Sequence, residues 1–248
     1  MAFLLNNGAV FLHIPKTGGT WIKHVLEEMG LIQGQLGHQH SDWERAFWHD
    51  KLHTDAKVAK YLFRRAVRSR RAQPRIKPDC FRFCFIREPL RWYESYWRFM
   101  QGLNWNWKTW GDENDPYKWH PCSMLNELES PDFNTFVHRV NNKRPGFVTE
   151  MYGWYARPGI GFVGRTEYLR RDLIRAFSLM GLSIDEARIH ERPVCNESPA
   201  TIPMPEWDPA LKKKTLRLEY AGYVRFGYPV EEHSLPVKHL RQAMVRTV

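Results

Sequence analysis

A chain of 248 residues, 43% hydrophobic and 26% charged, is long enough for one substantial core and cramped for two, so a single domain over 1–248 is expected. Its formal net charge of +10 favours an anionic partner without choosing among nucleic acid, anionic lipid, acidic polysaccharide and a polyanionic cofactor. Apolar runs stop well short of the ~20 residues that cross a bilayer. The N-terminal MAFLLNNGAVFLHI lacks a basic leader and is broken at Asn6, Asn7 and Gly8, so no transmembrane segment, no signal peptide and a cytoplasmic location are expected.

Residues 9–14, AVFLHI, read as a short buried strand. Apolar positions then recur at helical spacing at Trp21, Ile22, Val25, Leu26 and Met29, with Thr20 as the expected N-cap and Gly30 as the stop. A polar, histidine-bearing stretch, GQLGHQHSDWERAFWHD, precedes DAKVAKYLFRRAVRSRRAQPRIKP, which reads as a helix and a basic loop closed by prolines. CFRFCFI over 80–86 is the clearest strand, apolar on both faces toward its end and therefore central, and Pro89 suits the start of the helix that follows.

The tryptophan-rich stretch 102–123, punctuated by Gly, Asn, Asp and Pro, reads as an insertion. Beyond it, DFNTFVHRV reads as a short helix, Phe162–Gly164 as a strand and Glu167 to Met180 as a helix stopped by Gly181. DPALKKKTLRLEYAGYVRFGYP reads as a last helix followed by an aromatic stretch. Strand–helix units repeated along one chain imply an α/β fold with a mainly parallel sheet. The four cysteines, Cys80, Cys84, Cys122 and Cys195, lack CxxC spacing and read as free thiols, with no metal expected.

Between the first strand and its helix stands PKTGGT. In such a strand–loop–helix unit the helix's first N–H groups are unpaired, and Gly18 and Gly19 would let the backbone close around an anion. Lys16 adds a full charge, and the hydroxyls of Thr17 and Thr20 are further donors. The competing reading is a tight turn that needs glycine, with a surface lysine. The lysine precedes the glycines, which is not the Walker A order GxxxxGK[ST]. After the central strand comes IREPLRWYESYW, with Arg87 eight positions before Ser95. An arginine at a strand tip and a serine two turns along the next helix can converge on one anion at the carboxyl edge of the sheet.

HIPKTGGTW and IREPLRWYESYW, in this order, resemble the two signature segments of sulfotransferases that use 3′-phosphoadenosine 5′-phosphosulfate (PAPS). FVGRTEYLRRDL and LEYAGYVRFGYP resemble, more loosely, downstream segments of the carbohydrate branch. The resemblance implies a P-loop-like three-layer fold with a central, mainly parallel sheet flanked by helices. It implies sulfuryl transfer from PAPS to a hydroxyl, with Lys16, Thr17, Gly18, Gly19 and Thr20 on the 5′-phosphosulfate and Arg87 and Ser95 on the 3′-phosphate. Lys16 would sit beside the bridging oxygen as a catalytic cation. Trp21 matches a tryptophan that stacks on adenine, although its helical spacing fits core packing equally well. The internal arginine often found five residues after the first is here Arg91, four after. CNES at 195–198 is a weaker candidate for closing over the nucleotide.

An attacking hydroxyl needs a base. The Gly-His of GHQH resembles the uronyl 2-O-sulfotransferase arrangement, which makes His38 the first candidate and His40 the second, with Glu44 as a carboxylate alternative. Trp92, Trp97, Trp105, Trp107, Trp110 and Trp119 would stack on a sugar ring or fill a core, and family position puts them on the acceptor side. The expected partner is therefore a hydroxyl-bearing acceptor, a glycan by preference, and not nucleic acid. The basic run Lys57–Lys77 reads first as a solvated helix face, with attraction of an acidic polysaccharide or a membrane surface as the alternative. Two other functions compete: a P-loop-like kinase using ATP, which lacks a Lys-Ser/Thr after the glycines, and a basic nucleic-acid-binding module, for which no interleaved basic–aromatic platform is visible.

Overall fold

The computed structural model describes residues 2–37, 40–52, 76–103, 110, 111, 119–193 and 201–230. In chain order these form β1 (Ala2–Leu5), β2 (Val10–Leu12), α1 (Gly19–Glu28), β3 (Ile32–Leu36), α2 (Trp43–Leu52), β4 (Arg82–Ile86) and α3 (Pro89–Gly102). There follow a 3-10 turn (Pro121–Leu125), α4 (Phe133–Lys143), α5 (Phe147–Tyr155), β5 (Phe162–Arg165), a second 3-10 turn (Thr166–Tyr168), α6 (Leu169–Leu179), α7 (Glu186–His190), α8 (Pro209–Leu218) and α9 (Tyr220–Phe226). His38, Trp105, Trp107, the CNES segment and nearly all of the basic run lie outside the described residues.

The described strands make one sheet in the order β3-β1-β2-β4-β5. β2, β4 and β5 pair in parallel, whereas β1 pairs antiparallel with both β2 and β3. Four of the five strands therefore point one way and β1 alone is reversed, so the sheet is mostly parallel in strand direction and mixed by pairing. The cause is local. Asn6–Ala9 close a hairpin in which Leu5 N–H bonds the Ala9 carbonyl and Gly8 N–H the Leu5 carbonyl, both at 2.8 Å, with Gly8 at φ 84°. The break that argued against a leader is this turn, and AFLL before it is a strand.

Strand alternation sorts the core into two layers. Phe3, Leu5, Phe11, Phe83 and Phe85 face one way, packing with Trp21, Ile22, Val25 and Leu26 of α1 and Leu173, Ala176 and Phe177 of α6. Ala2, Leu4, Val10, Leu12, Cys84 and Ile86 face the other, against α3, α4 and α5. Helices thus cover both faces of an α/β fold. The aromatic stretch that was expected to follow the last helix is itself a short helix, α9, whose Tyr223 is buried. Cys80, Cys84 and Cys122 are free thiols. Among the described residues no helix is long and apolar enough to cross a membrane.

Candidate anion-binding site

Because β2 and β4 are parallel neighbours, the segments that leave their carboxyl ends run side by side. The first is the glycine turn. Lys16 at φ 64° and Gly18 at φ 80° both take the left-handed region, which is free for glycine and costs a lysine about 1 kcal/mol. A Cβ on Gly19 would fall 1.9 Å from Cδ2 of His13, so only glycine lets that ring lie against the turn. Both glycines therefore have reasons internal to the fold, and their presence alone does not argue for phosphate. Thr17 is buried, and its hydroxyl donates to the Ile14 carbonyl at 3.0 Å. Its proton is spent inside the turn, which corrects the expectation that this hydroxyl donates to an anion. Gly18, not Thr20, is the N-cap of α1, and no side chain of the described residues caps the helix. Its first N–H groups are left for something else to satisfy.

The cations carry more of the argument. Lys16 Nζ lies 4.0 Å from the centre of the Phe99 ring on α3 and has no carboxylate partner among the described residues. Burial pushes its pKa down to about 8, and the charges of Arg87 and Arg98 push the same way. Arg87 is the residue after β4. Its backbone is fixed by Tyr152, while its guanidinium takes no partner among the described residues. Ser95, half-buried on α3, has a hydroxyl likewise without a partner among them. Arg98 sits one turn further along α3, its Nε and Nη2 donating to the Ile202 carbonyl at 3.1 and 2.8 Å. Sequence reasoning passed over Arg98, although Arg91, Ser95 and Arg98 fall at i, i+4 and i+7 of one helix. Arg91 itself is exposed and pairs with Glu94 at 3.3 Å.

Trp21 is buried at 2% exposure in the α1–α6 layer, its Nε1 donating to the Pro193 carbonyl at 3.1 Å. This placement matches core packing. Trp92, Trp97, Trp110 and Trp119 are also buried. Trp92 donates to the Pro15 carbonyl at 2.9 Å and so braces the turn from α3, and Trp110 donates to the Tyr96 hydroxyl at 2.9 Å. None of these four presents a free face for a sugar ring.

Beside the turn lies a cluster of three histidines that the sequence did not announce. The His13 and His40 ring centres are 4.4 Å apart, and those of His40 and His120 are 5.0 Å apart. His120 stacks on Trp110, Trp110 on Phe99, and Phe99 meets Lys16, so the cluster joins the cation site through continuous contact. His40, at φ 61°, accepts the Tyr155 hydroxyl on its carbonyl. Its Nδ1 lies 2.8 Å from the His13 carbonyl. A carbonyl can only accept, so Nδ1 carries the hydrogen and Nε2 keeps a lone pair. His120 is the converse. Its Nδ1 accepts the Cys122 N–H at 3.0 Å, so Nε2 carries the hydrogen, and that buried donor has no partner among the described residues. Burial holds His13 and His40 well below the usual imidazole pKa and pushes His120 down to about 3, so all three rings are neutral at pH 7. Glu44, the carboxylate alternative, is exposed and paired with Arg157.

The turn and strand-end segments thus bring together Lys16, Arg87 and Arg98, with Ser95 on the same helix and a neutral histidine cluster alongside. Comparison with models of known families, with curated proteins and with solved structures gives no match for this chain.

Proposed function

We propose that the chain is a PAPS-dependent O-sulfotransferase of P-loop-like architecture whose acceptor bears a hydroxyl, a glycan by preference. The observation that carries the reading is the side-by-side departure of the Lys16 turn and of Arg87 from the parallel neighbours β2 and β4, at a helix N-terminus that no described side chain caps, with the charges of Arg87 and Arg98 both acting on Lys16. Three cations that repel one another are stabilised by a polyanion, and a bisphosphate nucleotide has a charge for each end of the site. Arg87 and Ser95 take the 3′-phosphate. Lys16 and the N–H groups of Gly18, Gly19 and Thr20 take the 5′ end, and Lys16 meets the charge that grows on the leaving phosphate oxygen. PAPS supplies the sulfuryl group. The acceptor oxygen bonds to sulfur as the sulfur–oxygen bond to the 5′-phosphate breaks, and the hydroxyl proton passes to the base. Of the described residues His40 suits that role, because its Nε2 lone pair is held open by the Nδ1–H bond to His13.

The test is calorimetric binding of 3′,5′-ADP, 5′-AMP and ATP, followed by transfer of radiolabelled sulfate from PAPS to a panel of glycans, lipids, phenols and peptides. Preference for 3′,5′-ADP, lost in Arg87→Ala, supports the reading. Equal or tighter binding of ATP points to a kinase and overturns it.

A further inference from the structure

A second cationic cleft opens at the carboxyl ends of β4 and β5, on the sheet face opposite α1 and α6. It holds about 550 Å³, within the range of small-molecule sites, and Ile86 at the tip of β4 forms part of its floor. Arg157, Arg165 and Arg225 stand in its wall with Ile160, Val163 and Phe226, and among the described residues no carboxylate lines it.

What holds these arginines decides what the cleft can bind. Arg165 Nη2 donates to the Phe226 and Gly227 carbonyls at 2.5 and 3.0 Å, and its guanidinium lies 4.7 Å from the Tyr228 ring centre. Arg225 Nη2 donates to the Ala156 carbonyl. Among the described residues neither makes an ion pair. A carbonyl fixes a guanidinium without neutralising it, so two full charges are held in place with N–H groups to spare. Arg157 does have a carboxylate, Glu44, but the pair is solvent-exposed and Glu44 lies outside the cleft. Rigid, uncompensated guanidinium groups beside aliphatic and aromatic walls are the complement of an organic anion, with its acidic group on the forks and its ring or chain on Ile160, Val163 and Phe226.

We infer that this cleft is a binding site for a sulfate- or carboxylate-bearing organic molecule with an apolar or ring-shaped body, separate from the Lys16–Arg87 site. The two sites are physically joined. The Phe226 ring packs edge-on against Tyr152 at 5.9 Å, and the Tyr152 hydroxyl bonds both backbone groups of Arg87. The inference does not depend on the identity of the nucleotide.

Calorimetric titration of phenyl sulfate, inorganic sulfate and phenol into the full chain tests it, with 3′,5′-ADP saturating so that the first site is filled. Phenyl sulfate is expected to bind once per chain and about fivefold or more tighter than either fragment, because only it engages both charge and wall. Arg157→Gln, a change at an exposed side chain, and Arg225→Gln are each expected to weaken it about threefold or more, while Lys213→Gln on α8 leaves it unchanged. No saturable binding, equal affinity for inorganic sulfate, or indifference to both arginine changes overturns the inference. Failure of 3′,5′-ADP to bind would instead count against the sulfotransferase reading, and the same titrations without nucleotide would still decide the cleft.

Discussion

The Tyr152 hydroxyl grips Arg87 by both ends of its backbone, accepting the Arg87 N–H at 3.1 Å and donating to the Arg87 carbonyl at 2.9 Å. Tyr152 is buried on α5, so a residue distant in sequence sets where the Arg87 guanidinium starts from. Tyr152→Phe leaves a partly buried N–H and C=O unpaired and is expected to cost about 1–3 kcal/mol of stability. It should also weaken 3′,5′-ADP roughly tenfold through misplacement of Arg87, with a smaller effect on 5′-AMP. Chemical denaturation and calorimetry on the same variant read the two quantities. Lost stability with unchanged nucleotide preference would make Tyr152 a packing residue only.

Lys16 yields a prediction about protons. Its pKa of about 8 reflects burial and two neighbouring arginines, and a bound polyanion reverses the electrostatic part. At pH 8 the free lysine is about half protonated, so binding 3′,5′-ADP should take up close to half a proton at that pH and almost none at pH 6. Calorimetry in buffers of different ionisation enthalpy measures this directly, and Lys16→Met should abolish the uptake. An uptake that survives in the variant would place the titrating group elsewhere.

The histidine cluster should make the fold acid-sensitive. His120 has a folded pKa of about 3 against 6.5 for the free side chain, so between these values the unfolded chain binds more protons than the folded one. Stability therefore falls as pH falls below 6.5, by about 1.4 kcal/mol per unit for His120 alone, and this loss levels off near pH 3. His120→Phe keeps a ring against Trp110 but removes the titration. Its stability should therefore decline less steeply between pH 6.5 and 4.5 than that of the wild type, as read by urea unfolding. Parallel declines would mean that His120 is not held neutral.

How much of this could be read in advance depended on where each signal lay. β2, α1, β4, α3 and β5 were legible because alternating or helical apolar spacing coincided with Gly and Pro punctuation. β3 was not, since IQGQL lies at the sheet edge, buries only Leu36 and carries little apolar pattern. α5 was hidden because FVTEMYGWY is rich in aromatic and β-branched residues, and its helical state comes from burial between α3 and α9. Lys16 and Arg87 were visible because each follows a strand, and parallel pairing makes strand ends neighbours. His13, His40 and His120 come from three distant segments, so nothing in the local sequence marks their convergence.

The same convergence gives the last prediction, which separates the central histidine of the cluster, His40, from its neighbour His120 by what their Nε2 atoms can do. His40 offers a lone pair there and His120 a hydrogen. If His40 takes the acceptor's proton, His40→Ala should bind 3′,5′-ADP normally and lose ~10²-fold or more of its transfer rate. His120→Phe removes a donor rather than a base. The unmatched N–H it deletes is expected to show mainly as a raised KM for acceptor, and His120→Gln, which restores a donor, should recover part of it. The pH profile adds an independent check. A histidine held well below the usual pKa stays unprotonated as pH drops, so kcat should persist below pH 6.5 and fail only as pH falls through that lowered value. A wild-type rate that is lost near pH 6.5 would identify an ordinary, exposed imidazole as the base. A large rate loss in His38→Ala, with little in His40→Ala, would move the role two residues back along GHQH.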